Sequence, residues 1–208
     1  MTGQPWTHAP LSALDLEGTG AQDRDREAIL EVAVVPLVDG SPDMGSAYET
    51  LVNPGRPVPS RPWISPGLTD EVLVEAPRPE EISAELHERV EGRYLVGHNV
   101  AVDWRLLHRH YPGLRPAGLI DTLRLARAAR LEGSRSLGAL VDRFGLRDRV
   151  NELVPGGRPH RALWDTVAAG LLLPVLVREV APPVVSLEVL LRVASPPEDR
   201  EMGEPTLF

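Results

Sequence analysis

The sequence predicts an α/β fold, a central mixed sheet flanked by helices. Three observations carry this. β-Branched and apolar runs fill the first quarter of the chain, whereas short apolar segments alternate with helical patterns afterwards, as when helices cover both faces of a sheet. The 208 residues suffice for one domain with a sizeable core, and 42% hydrophobic with 25% charged residues is ordinary globular composition. Acidic motifs also lie beside apolar stretches that should fold into core: Asp15-Leu-Glu17-Gly-Thr19-Gly20, His98-Asn99-Val-Ala-Val-Asp103 and His160-Arg-Ala-Leu-Trp-Asp165.

Residues 10–16 read as a buried strand ending at the first carboxylates. The β-branched run 28–38 pairs with it, Asp39-Gly40-Ser-Pro signals a turn, and 48–52 supplies a third strand of an antiparallel meander. The Pro-rich stretch 53–66 is a loop. Thr69-Asp70-Glu71 caps a short helix, and Pro79-Glu80-Glu81 opens another reaching about Glu91, with Ile82, Leu86 and Val90 on one face. A buried strand at 94–96 ends at Gly97-His98-Asn99, and a helix follows over 101–110. Asp121 caps a helix over 122–130; Ser136 caps one over 137–144 that Gly145 stops. A long helix from about Arg161 to Val180 carries Asp165 in its first turns, and the amphipathic segment 186–193 completes a domain expected over 1–194. An acidic, Pro-rich tail occupies 195–208.

The longest apolar run, 168–177, is broken by Pro174 and falls short of the ~20 residues that span a bilayer, so no membrane partner is expected. The N-terminus shows no basic and apolar leader pattern. Without cysteine there are no disulfides, thiol nucleophiles or thiolate metal sites, which accords with a cytoplasmic protein. A net charge of −8 argues against a broad basic surface for duplex DNA, though not against a site that binds one strand end through divalent cations. Every basic residue is arginine, so any cationic phosphate contact comes from a planar guanidinium.

Asp15 and Glu17, two apart on a strand, point to one face and repel unless a cation sits between them; all-oxygen ligation suits Mg²⁺ or Mn²⁺. Asp103 follows the His98-Asn99 turn near a helix start, where a carboxylate is also favoured by the helix dipole alone. His160 and Asp165 would diverge by roughly 140° on one helix. His160 therefore belongs to the loop 155–159, which Gly156 and Gly157 make mobile, as suits a general base. Trp63 and Trp104 are candidates for stacking on bases, although Trp104 and Trp164 read equally as core anchors. Four carboxylates and one imidazole describe a metal-dependent phosphoryl-transfer site.

This ordered set resembles the DEDDh branch of the DnaQ-like 3′–5′ exonucleases, the family of the proofreading subunits of bacterial DNA polymerase III. The likeness covers about residues 11–173 and includes Glu31-Val-Ala-Val, Gly67-Leu-Thr-Asp-Glu71, Asp121-Thr-Leu-Arg-Leu-Ala-Arg127 and Ser136-Leu-Gly-Ala-Leu140. It implies a ribonuclease-H-like fold and two ions, Mg²⁺ or Mn²⁺, held by Asp15, Glu17 and Asp165, with Asp103 supporting the second. His160 would be the general base. The backbone from Leu16 through Gly18 to Thr19, with Asn99 and His160 nearby, would seat the 3′-terminal nucleotide. The expected product is a nucleoside 5′-monophosphate released from single-stranded DNA in proofreading or repair. Trimming of RNA or short oligonucleotides uses the same site, and a nucleic-acid or polymerase interaction module with weak turnover is the non-enzymatic alternative. Three positions depart from the family pattern: Gly18 replaces a threonine, Pro66 a histidine, and Val102 a phenylalanine, the last read as a core change. The terminal Leu207-Phe208 resembles motifs that dock on the bacterial sliding clamp, beside a DNA polymerase.

Overall fold

The structure, a computed structural model, describes residues 3–20, 22, 26–180 and 185–197. Leu207-Phe208, and the clamp docking expected of it, lie outside the described residues. Strands β1 (Leu11–Gly18) and β2 (Ile29–Val38) are antiparallel, with Asp15 opposite Ala33, Glu17 opposite Glu31, and an irregularity between Glu17 and Gly18. β3 (Ser41–Pro42) and β4 (Tyr48–Leu51) both pair antiparallel with β2. β5 (Tyr94–Gly97) runs parallel to β1, and β6 (Gly118–Asp121) parallel to β5. The order is β3-β2-β1-β5-β6 with β4 also on β2, the mixed sheet that the sequence predicts. The helices are α1 (Asp70–Leu73), α2 (Ser83–Val90), α3 (Val100–His110), α4 (Thr122–Ala128), α5 (Leu137–Arg143), α6 (Arg147–Leu153), α7 (Ala162–Val180) and α8 (Leu187–Ala194).

Strand periodicity decides what faces what. Leu11 and Ala13 of β1 join Val96 and Ile120 in a core with Leu172, Leu173 and Leu176 of α7. Leu14 points the other way, into a core with Leu95, Leu119, Leu86 of α2 and Leu107 of α3. By parity Asp15 and Glu17 share the α7 face. α7 is apolar around most of its circumference and is buried along its length despite Pro174 in its interior. A Cβ on Gly170 would lie 3.0 Å from Leu37 and 3.2 Å from Pro42, so glycine there lets α7 lie close on the sheet.

Several details differ from expectation. β1 continues past Leu16 to Gly18, so the strand ends beyond Glu17 and not at the first carboxylates. The helix expected from Pro79 starts at Ser83, because the Glu81 carboxylate accepts the Arg78 N–H at 2.7 Å and holds 78–81 as a turn. Sequence periodicity missed β6 and α6: β6 is four wholly buried residues with no alternation, and α6 begins almost directly after the Gly145 stop. Val102 is 42% exposed, so its replacement of phenylalanine is a surface change and not a core one. Among the described residues no helix is long and apolar enough to cross a membrane.

Candidate active site: a carboxylate cluster on the central strand

Asp15 and Glu17 of β1 meet Asp165, in the first turn of α7, with one oxygen from each lying within 4.8 Å of the others. The start of α7 is fixed by an ion pair that joins distant parts of the sequence. Glu31, fully buried on β2 opposite Glu17, accepts from Arg161 Nε at 3.0 and 2.8 Å and from its Nη2 at 2.6 Å. The same carboxylate accepts the Ala162 N–H at 3.2 Å. One residue before this clamp, His160 turns at φ 63°, is exposed, and donates its backbone N–H to Asp165 Oδ1 at 3.4 Å. His160 thus lies off the helix, as the five-residue spacing requires.

Asp103 stands in the first turn of α3 and accepts the Leu16 N–H at 3.3 Å, which ties that helix to β1. It lies outside the three-carboxylate group. Asn99 begins α3 in the left-handed region (φ 71°) with an exposed side chain. Its N–H goes to Asp121 Oδ1 at 2.9 Å, and that oxygen also caps α4 through Leu123 N–H at 2.8 Å. His98 has both ring nitrogens occupied, by Thr122 Oγ1 and the Arg135 carbonyl, each at 2.9 Å, and burial lowers its pKa. It fastens the turn and does not face substrate space.

The cluster is electrostatically crowded. Burial, and then the charges of Asp103, Asp165, Glu17 and Glu31, holds the Asp15 carboxyl well above the usual range. Burial raises Asp103 to about 8, and burial with the Glu17 charge raises Asp165 to about 6. Glu17 is also raised by burial, opposed by its hydrogen bond from Ser65 and by the His160 and Arg161 charges. Asp15 Oδ2 is buried without a hydrogen-bond partner. A buried oxygen with no donor is costly, and a hard divalent cation is the partner that an all-carboxylate set accommodates. The residues fit such an ion.

The neighbouring backbone is heavily engaged. A Cβ on Gly18 would sit 3.0 Å from both the Ala28 carbonyl and Leu106 Cδ2, so the family's threonine has no room without a shift. Thr19 is buried: its hydroxyl accepts the Ala28 N–H at 3.0 Å, its N–H donates to the Ala28 carbonyl, and its own carbonyl accepts from Trp63 Nε1 at 3.1 Å. Ser65 Oγ donates to Glu17 Oε2 at 2.6 Å, and Arg158 donates to the Pro66 carbonyl at 2.7 Å. Trp164 is buried, with its Nε1 on Asn151, while Trp104 is half-buried beside His108. Sequence reasoning missed Glu31, Arg161 and Ser65. The one local signal was Glu31 itself, a charge in an apolar strand with the inward parity of Ala33 and Val35.

A six-stranded mixed sheet with this carboxylate group on its central strand defines a class, the ribonuclease-H-like exonucleases. Exonuclease X, solved in complex with 5′-overhanging duplex DNA, matches with a TM-score of 0.60 at 26% identity, covering 81% of this chain and 91% of that one. Escherichia coli exonuclease I with a dT13 oligonucleotide matches with a TM-score of 0.60 at 15% identity, over 83% of this chain and 42% of that one, a likeness of fold. The family model RNase_T, described as an exonuclease, matches residues 12–173, and the chain belongs to that family. The DNA polymerase III subunit epsilon-like protein of Rhodobacter capsulatus is 33% identical over 159 residues, 74% of this chain and 22% of that protein. A PolC-type DNA polymerase III of Staphylococcus aureus is 30% identical over 177 residues, 83% of this chain and 12% of that protein. The chain therefore spans less than a quarter of the length of either relative.

Proposed function

We propose that the chain is a divalent-metal-dependent 3′–5′ exonuclease that releases nucleoside 5′-monophosphates from single-stranded DNA. The observation that carries this is the part-buried group of Asp15 and Glu17 on the central strand with Asp165 of α7, including the buried, unpartnered Asp15 oxygen, in an exonuclease-family domain. These three residues would hold the cation, and Asp103, beside Leu16, would support a second. Bound divalent ions stabilise the charge on the attacking and leaving oxygens of an in-line displacement. His160 takes the proton of the attacking water; its backbone N–H on Asp165 Oδ1 places the residue beside the cluster. Leu16, Gly18, Thr19 and Asn99 border the seat of the terminal nucleotide, Thr19 as its buried support, since its hydroxyl, N–H and carbonyl are engaged by Ala28 and Trp63.

DNA as the polymer is supported by the DNA bound to exonuclease X, and a single strand by the acidic charge of this chain, which disfavours a broad duplex footprint. The polymerase names of the relatives support work beside a replicative polymerase, with Leu207-Phe208 as its clamp contact. The test is a time course with Mg²⁺ or Mn²⁺ on 5′-labelled single-stranded DNA and RNA, beside Asp15→Ala. A ladder shortening from the 3′ end in the unsubstituted protein alone is expected, faster on DNA. No metal-dependent loss on either polymer rejects the proposal.

A further inference from the structure

Trp63 is 46% exposed, whereas Trp6 and Trp164 are buried and Trp104 is half-buried. An exposed indole is costly in water unless something covers it. This one is held in place with care. Its Nε1–H donates to the Thr19 carbonyl, two residues from Glu17, and two residues further along its own loop Ser65 donates to Glu17. Beneath the loop, Val58 and Ile64 pack on a core of Leu30, Leu68 and Leu73. The Val58 N–H is taken by Asp70 at 2.7 Å. Gly20, at φ 91°, completes the seat: a Cβ there would stand 2.6 Å from Trp63 Nε1 and 3.0 Å from its Cδ1, so the indole occupies space that any other residue would fill.

Charge surrounds it on one side. Arg61 places its guanidinium 5.7 Å from the indole centroid. A cavity of about 370 Å³ beside the loop is lined, among the described residues, by Arg26, Arg56, Arg61, Pro57, Val58 and Pro59, three arginines in a chain of net charge −8. A flat aromatic surface beside a guanidinium group, on a loop hydrogen-bonded to Thr19 and to Glu17 of the carboxylate cluster, matches a nucleobase and its phosphate.

We infer that Trp63, with Arg61, is the stacking platform for a base of the strand whose end lies at Asp15, Glu17 and Asp165, and that the Arg26–Arg56–Arg61 cavity receives the phosphodiester beside it. This rests on the exonuclease reading and deepens it, because it assigns where the rest of the strand runs. The platform is indifferent to which base it meets, since every base offers a π face. It therefore grips the polymer without reading its sequence.

The test titrates a hydrolysis-resistant phosphorothioate oligothymidylate into the full chain with Mg²⁺ and reads tryptophan fluorescence and affinity. Trp63→Leu and Trp63→Phe are compared, and an oligomer of abasic residues with the same charge serves as second ligand. Quenching in the unsubstituted protein, lost in both variants, is expected. Trp63→Leu should bind roughly 5- to 140-fold more weakly, while Trp63→Phe keeps most of the affinity. The abasic oligomer should bind the unsubstituted protein as weakly as it binds Trp63→Leu. If both variants bind alike and the abasic oligomer loses nothing, Trp63 only anchors the loop and the inference is overturned. Metal-dependent hydrolysis measured on the same preparation separates the two readings: hydrolysis without a Trp63 effect overturns the platform alone, and neither binding nor hydrolysis overturns both.

Discussion

Replacing Arg161 by alanine strips the buried Glu31 carboxylate of the three hydrogen bonds that reach it from that guanidinium, at 3.0, 2.8 and 2.6 Å. Glu31 is fully buried and cannot reach water without moving β2. Removing one partner of a buried ion pair costs ~3–5 kcal/mol. Two features place this pair at the low end: the Arg161 side chain is 30% exposed, and the Ala162 N–H remains on Glu31. We take about 3 kcal/mol, which for a chain of this size lowers Tm by roughly 6–12 °C. Differential scanning calorimetry of Arg161→Ala measures it. Adding Glu31→Gln to Arg161→Ala removes the stranded charge and should recover most of the loss, whereas Glu31→Gln alone should cost less than Arg161→Ala. Because the clamp lies between His160 and the start of α7, the rate of 3′-end hydrolysis should fall along with stability. A Tm for Arg161→Ala within about 2 °C of the unsubstituted protein, well under the shift that 3 kcal/mol demands, would refute the reasoning.

Gly18→Thr brings a Cβ to within 3.0 Å of the Ala28 carbonyl and Leu106, and should destabilise by ~1–3 kcal/mol in urea unfolding; unchanged stability would mean that β2 and α3 give way freely. In chelator, raised carboxyl pKa values mean that the folded state binds more protons than the unfolded one, so stability is greatest on the acid side and declines as pH rises. With Asp165 at about 6 and Asp103 at about 8, Tm should still be falling between pH 6 and 8, and Mg²⁺ or Mn²⁺ should flatten that fall. A chelated protein that grows more stable over this range contradicts the electrostatic account. Asp15→Asn relieves repulsion and supplies a donor where Oδ2 has none, so it should raise Tm in chelator while abolishing both metal-induced stabilisation and hydrolysis. A variant that keeps the metal-induced rise would remove Asp15 from the cation site.

Much of this arrangement was legible because its signals are local. Runs such as 29–38 fix strand and parity together, and Asp15 with Glu17 declares a shared face by spacing alone. The position of His160 before α7 likewise follows from a helical angle. What was not legible depends on meetings across the chain. Glu31 and Arg161 are 130 residues apart, and no period links them. Ser65 reaches Glu17 from a Pro-rich loop whose path is set by Leu30, Leu68 and Leu73 beneath it, not by its own residues. β6 was hidden because Gly-Leu-Ile-Asp is too short for alternation and becomes a strand only beside β5. Val102 was misread because a family substitution was taken for packing without knowing which side of α3 it occupies.

The hydroxyl of Ser65 reaches the same Glu17 carboxylate that stands in the cation group. Two tenants of the site therefore share one side chain. An ion that drew Glu17 toward Asp15 would tug on the loop carrying Trp63, and a strand that settled this loop would preset Glu17 for the ion. At equilibrium such coupling is reciprocal. Whatever factor the metal adds to the grip on nucleic acid, nucleic acid must return to the grip on metal, whichever arrives first.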